Sequence, residues 1–297
     1  MCYNSGMKLT RCRLVFAALA VAGSISMFAK PSPQVAIRFQ SWETKPAERP
    51  VDTNEVVVVP PKGMKIFLLM GQSNMAGRGR VPAEWRRPLA RAYKMNRDGA
   101  WTAATSPLHF DRRSSGVGPG DMFLRRYLED HPGETAGVVP CAVGGSGIPT
   151  WTPAAGDGPE GQNFRRALAR AKKAQETGEI VCMLWLQGET DARRYHLSPP
   201  DFEAYYVPRF TNMVATLRRE LGLPDLPVLA SEAGTFVPDI QERLNPAIAA
   251  AVRTLPRCAL VPAADLSTCL PDKIHFDTAA QRTLGVRYYD AFRKMVR

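Results

Sequence analysis

The chain has 297 residues, a formal charge of +11 and 45% hydrophobic residues. A chain of this length buries a substantial core without metals or disulfides to staple it, and its composition is that of an ordinary globular protein. Its basic side chains are scattered in pairs such as Arg112-Arg113, Arg125-Arg126 and Arg218-Arg219, with no run of five, no zinc-finger spacing and no heptad zipper. That pattern excludes nucleic acid as a partner and leaves the charge as a solvated surface.

Residues 1–13 carry Lys8, Arg11 and Arg13 and no acid; an apolar stretch follows over 14–23, then small residues up to Ala29. This is the tripartite pattern of a secretory signal peptide, with Ser26 or Ala29 as its last residue. The apolar run is short of the ~20 residues of a membrane span, so the expectation is an exported protein, periplasmic or secreted. No stable membrane association is expected after cleavage; an uncleaved amino-terminal anchor is the alternative. Residues 30–61 are rich in proline and polar side chains and read as an extension with one possible edge strand at Val56 to Val59. Residues 62–297 read as one catalytic domain. Cys2 and Cys12 leave with the signal. Of the remaining four, Cys141 and Cys182 lie in apolar runs, and Cys258 and Cys269 are the expected disulfide in an oxidising compartment.

From Lys65 onward, apolar runs at 66–70, 136–143, 180–186, 228–230 and 259–261 alternate with helical periods. Continuous apolar runs bounded by glycine are the signature of buried parallel strands. Phe202, Tyr206, Phe210, Val214, Leu217 and Leu221 share one helical face, and Leu284, Tyr288, Phe292 and Met295 share another. Asn163 is placed to cap a helix running to about Gln175, which Gly178 would end. The alternation predicts an α/β fold, a three-layer α/β/α sandwich around a central parallel sheet.

Ligands in such folds bind at the carboxyl ends of the strands. Three polar clusters follow strands: Gly71-Gln-Ser-Asn-Met-Ala-Gly77, Gly144-Gly-Ser-Gly147 and Gln187-Gly-Glu-Thr-Asp191. A fourth, Asp272-Lys-Ile-His275, lies before the last helix. The first is not a phosphate loop, because no Gly-Lys-Ser/Thr follows. It is not the Gly-x-Ser-x-Gly elbow either, because Met75 stands where the second glycine belongs. What remains is Ser73 at a strand end and the start of a helix, where amides can stabilise an oxyanion. A serine nucleophile needs a base, and the base a carboxylate. His109 and His131 lie in polar loop contexts and His196 in a surface loop, whereas His275 has Asp272 three residues before it. Glu189 and Asp191 either orient neighbouring loops or act directly. Trp101 and Trp151 are either core residues or platforms for a sugar.

Together, Gly71-Gln-Ser-Asn-Met75, Gly144-Gly145-Ser146 with Trp151, Gln187-Gly-Glu-Thr-Asp191 and Asp272-Lys-Ile-His275 resemble the SGNH (GDSL-like) hydrolase superfamily. The resemblance is to its sialate O-acetylesterase and acetylxylan esterase branch, carbohydrate esterase family six, over about residues 64–290. It implies a flavodoxin-like hydrolase with no metal and no cofactor, in which Ser73 is the nucleophile, His275 the base and Asp272 its orienter. The implied oxyanion hole combines the Ser73 amide, the amide of Gly145 or its neighbour Gly144, and the Gln187 side chain, where other branches carry Asn. Gln72, Asn74, Trp151 and Glu189 stand in the same motifs as candidate substrate-binding residues. The expected substrate is a short acyl ester, an acetyl group on a small sugar or polysaccharide. A lipase-like esterase, an acyltransferase and a non-catalytic carbohydrate-binding protein of the same fold are the rivals. The rim loops, with Trp101, Trp151, Arg78 and Arg80 and no long apolar stretch, suit a sugar better than an acyl chain.

Overall fold

The computed structural model describes residues 56–296. The expected signal peptide and most of the extension lie outside the described residues. The possible edge strand at Val56 to Val59 is reduced to one antiparallel bridge, Val57 to Thr102.

Seven strands form the sheet: β1 Met64–Gly71, β2 Ala92–Met95, β3 Trp101–Ala103, β4 Ala136–Pro140, β5 Gly178–Leu186, β6 Val228–Ser231 and β7 Cys258–Val261. Their order is β3-β2-β4-β1-β5-β6-β7. All neighbours are parallel except β2 and β3. β1 is central, and its side chains alternate between the two layers as strand geometry requires. Ile66, Leu68 and Met70 face one cluster. Helices α3 (Gln162–Gln175), α5 (Pro199–Leu221) and α6 (Pro238–Arg253) cover that side. Phe67 and Leu69 face the other, under α2 (Pro119–Asp130) and α7 (Thr278–Val296). On that side Phe67 meets Phe123, Tyr127 and Phe292 edge-on, with ring centroids 4.8, 4.8 and 5.6 Å away. Both sheet faces are therefore dry, which is why the strands read as unbroken apolar runs.

Two short helices complete the frame, α1 (Ser73–Ala76) after β1 and α4 (Glu189–Tyr195) after β5. The start of α3 differs from expectation. Gly161 precedes the helix in a left-handed conformation, and Asn163 instead donates to Thr150 Oγ1 at 2.8 Å. Gly178 opens β5 rather than closing α3.

The anticipated Cys258–Cys269 disulfide is absent, and both thiols are free. Cys258 opens β7, whereas Cys269 lies past its far end, bridged to Phe276. Four strand residues at about 3.3 Å each put more than the ~7 Å limit for a disulfide between the two ends.

Candidate active site

Chain order brings β1 out of the sheet between β4 and β5, so its carboxyl end opens into a crevice between the two following loops. There the backbone turns sharply. Gly71 adopts φ +136°, and a Cβ on it would stand 2.1 Å from Leu186 O. Only glycine fits so close to a neighbouring strand. Gln72 N donates to Leu186 O at 2.9 Å, and Ser73 begins α1.

Ser73 is 7% exposed. Its Oγ lies 2.9 Å from His275 Nε2, and His275 Nδ1 lies 2.6 Å from Asp272 Oδ2. Asp272 also organises its own loop, because its Oδ1 accepts from the amides of Ile274 (2.9 Å) and His275 (3.1 Å). Burial works to raise the Asp272 carboxyl, but the hydrogen bonds from the His275 ring and these amides outweigh it and hold the group below its ordinary range. The acid is nonetheless 42% exposed and the imidazole 19%.

The glycine loop after β4 is drawn alongside, since Val143 N donates to Gly71 O at 2.9 Å. Gly145 has φ +78° and is exposed. Among the described residues neither the Ser73 nor the Gly145 amide has an acceptor. Gly144 N is occupied: it donates to Asp111 Oδ2 at 2.8 Å. That decides which glycine of the pair has a free amide. Asp111 is itself paired with Arg78 at 2.7 Å, both side chains buried, and accepts from Ser115 Oγ at 2.7 Å. Burial pushes the Asp111 carboxyl up, but the Arg78 guanidinium more than offsets it, and the net shift is downward. Arg78 is thus part of the frame, not the open rim. Asp111 and Ser115 carry no signal in the sequence, being far from every motif.

Gln187 is placed differently from the expectation. It is fully buried, and its two amide protons are shared among Asp191 Oδ2 (2.6 Å), Ser146 O (3.0 Å) and, more distantly, Gln72 Oε1 (3.4 Å). Its Oε1 accepts from the Tyr206 hydroxyl at 3.0 Å. No proton is left for an oxyanion. Asp191 also receives Ile148 N and the Tyr205 hydroxyl, so it orients the loop after β4. Burial raises its carboxyl to about 6, against the hydrogen bonds that lower it.

Gln72 Oε1 accepts from Thr190 N (3.3 Å), Gly188 N and Gln187 Nε2 (both 3.4 Å). Three donors around one oxygen fix the amide's orientation. Its Nε2 has no partner among the described residues and is not sealed from solvent. Asn74 and Glu189 bond to each other at 2.8 Å, and both Asn74 Nδ2 protons are taken within the protein. Trp151 is fully buried, edge-on to Trp185 and donating to Ser146 Oγ at 2.9 Å. Trp101, the first residue of β3, is buried and donates to Thr177. Both indoles are core residues with no face for a sugar. His109, expected in a polar loop, is buried and held neutral, its pKa lowered to about 4 chiefly by desolvation. Among the described residues no three His, Cys, Asp or Glu side chains converge as a metal site would.

A family model for "carbohydrate esterase, sialic acid-specific acetylesterase" matches residues 63–294. The chain belongs to this family. It is therefore a carboxylic ester hydrolase of the carbohydrate esterases. It is similar to the "probable carbohydrate esterase At4g34215" of Arabidopsis thaliana, 29% identical over 263 residues, 79% of this chain and 91% of that one. The crystal structure of that Arabidopsis protein superposes with a TM-score of 0.65, covering 79% of this chain and 99% of the other at 28% identity. The fold is also that of NanS, at a TM-score of 0.63 and 17% identity, covering 80% and 99% of the two chains.

Proposed function

We propose that this carbohydrate esterase removes acetyl groups from sugars through a covalent acetyl-Ser73 intermediate. The observation that carries the reading is the hydrogen-bonded chain from Ser73 Oγ through His275 to Asp272, 2.9 and 2.6 Å long. His275 Nε2 takes the hydroxyl proton as Ser73 Oγ attacks the ester carbonyl, while Asp272 holds the Nδ1 proton and steadies the imidazolium. The tetrahedral oxyanion is received by the Ser73 and Gly145 amides, with Gln72 Nε2 as the side-chain donor in place of Gln187. His275 returns the proton to the departing sugar oxygen. It then takes one from water, whose oxygen attacks the acetyl carbonyl, and passes it to Ser73 Oγ as the acyl bond breaks and acetate leaves.

Acetyl as the acyl group is supported by the family's description. An acidic sugar, sialate included, is supported by the same description. Export is part of the proposal, and amino-terminal sequencing of secreted protein should find a start just after Ser26 or Ala29. The deciding experiment is Ser73→Ala, assayed by acetate release from acetylated xylan, O-acetyl sialic acid and p-nitrophenyl acetate. Loss of the attacking oxygen should lower kcat on the order of 10⁶-fold with the fold intact. Folded Ser73→Ala protein that keeps its activity overturns the reading. A preference that rises from acetyl to palmitoyl esters, with no acetate from either glycan, replaces the substrate class with lipid esters.

A further inference from the structure

Asn74 follows the nucleophile directly, yet its polar atoms all turn toward the base. Its Nδ2 donates to Ile274 O at 3.2 Å, and its Oδ1 accepts from Phe276 N at 3.1 Å. Ile274 and Phe276 are the two neighbours of His275. Asn74 O accepts from Gln281 Nε2 at 3.0 Å, which ties down the first turn of α7 just beyond. One buried residue beside Ser73 therefore grips the chain on both sides of the imidazole.

That grip works in only one orientation of the amide. Turned over, Nδ2 would face the Phe276 N–H and Oδ1 would face the Ile274 carbonyl. Glu189, the first residue of α4, selects the working orientation: its Oε1 takes the second Nδ2 proton at 2.8 Å. The selection has a cost, since Glu189 is buried and its Oε2 has no partner among the described residues. Burial raises its carboxyl above the ordinary range, against the Asn74 hydrogen bond. A buried acid with one oxygen unmatched is kept only where its other contacts matter.

We propose that Asn74, oriented by Glu189, is a positioning residue that sets His275 Nε2 against Ser73 Oγ. The nucleophile segment thereby carries the gauge for its own base, and the proposal rests on the serine-esterase reading above. The same bonds give α4, and with it the loop after β5, a link to the base that the Ser73–His275–Asp272 chain does not show.

The test is steady-state kinetics on p-nitrophenyl acetate with Asn74→Ala, Glu189→Ala and Glu189→Gln, each checked for folding by circular dichroism. A loosened base loses alignment and not substrate affinity, so Asn74→Ala should lower kcat about 100-fold and leave KM within about twofold. Glu189→Ala should lower kcat about tenfold, and Glu189→Gln, which still offers Asn74 an acceptor, should recover most of that. Folded Asn74→Ala with kcat within about threefold of wild type, or a loss confined to KM, overturns the proposal. Should Asn74→Ala not fold, the Glu189 pair decides, and equal kcat for Ala, Gln and wild type overturns it. Ser73→Ala runs alongside: activity there sinks the serine reading, whereas an inert Ser73→Ala with an active Asn74→Ala sinks only the positioning role.

Discussion

The segment that carries Ser73 and the loop that carries His275 meet at 2.9 Å but are held in different ways. The serine sits at the end of the central strand, with a glycine wedged against Leu186 O and Met75 and Ala76 packed into the core beside it. The histidine rides on a loop whose carboxylate is nearly half exposed and whose backbone is held by an Asx turn and by Asn74. The sheet places the serine by burial, whereas the histidine is placed by named hydrogen bonds. Damage to the strand-end packing that places the serine, as distinct from its polar side chains, should appear as lost stability. Damage to the loop that carries the histidine should appear as lost rate in a folded protein.

Four substitutions break or sharpen that contrast. Asp272→Asn, in the exposed loop, should lower kcat about 10⁴-fold with little change in Tm, because the amide favours the wrong imidazole tautomer. A loss under about tenfold would show that the exposed acid does not orient the base. Gln72→Ala should cost about 100-fold in kcat with KM nearly constant, as expected for an oxyanion donor. Gln187→Ala, which strips four bonds from a buried site, should register chiefly as lower Tm; the reverse pattern restores Gln187 as the donor. Gly71→Ala places a Cβ against Leu186 O and should lose about 3 kcal/mol, seen as a fall in Tm, with Gly133→Ala as the unstrained control.

The smallest effect concerns pH. His109 is neutral in the fold with a pKa of about 4 against 6.5 for a free side chain. Its depressed value means the unfolded chain takes up the proton first, so stability is lost as pH falls from about 6.5 to 4. Chemical denaturation of wild type and His109→Gln across that window should show wild type losing up to ~3 kcal/mol more than the variant. Parallel curves would mean that His109 does not titrate on unfolding in this range.

The strands were legible because sheets covered on both faces demand continuous apolar runs, and β1, β4, β5, β6 and β7 all satisfy that. β2 and β3 were missed because runs of four and three residues are too short to show a period. Helix α6 was missed because Pro246 interrupts it and alanine supplies much of its buried face. At the site, Ser73, Asp272 and His275 stood out because each lies in a compact local motif. The placement of Gln187 was not visible, since its fate turns on competition: Asp191, one helical turn later, takes the proton that would otherwise face the crevice. The disulfide expectation failed for a related reason, because Cys258 opens β7 whereas Cys269 lies in the loop beyond its other end. Spacing along the chain reports contacts within a turn and says little across a layer.

The Arg78–Asp111 pair has a consequence for how this loop can vary. Both charges are buried, and the acid also holds the Gly144 amide beside the free amide of Gly145. Removing either partner strands the other's charge away from water, which is far worse than removing both. Replacing both by apolar residues spares the stranded charge but leaves the Gly144 amide without its acceptor, so the pair is tied to this loop as well as to itself. Residues 78 and 111, 33 apart in the chain, therefore act as one site.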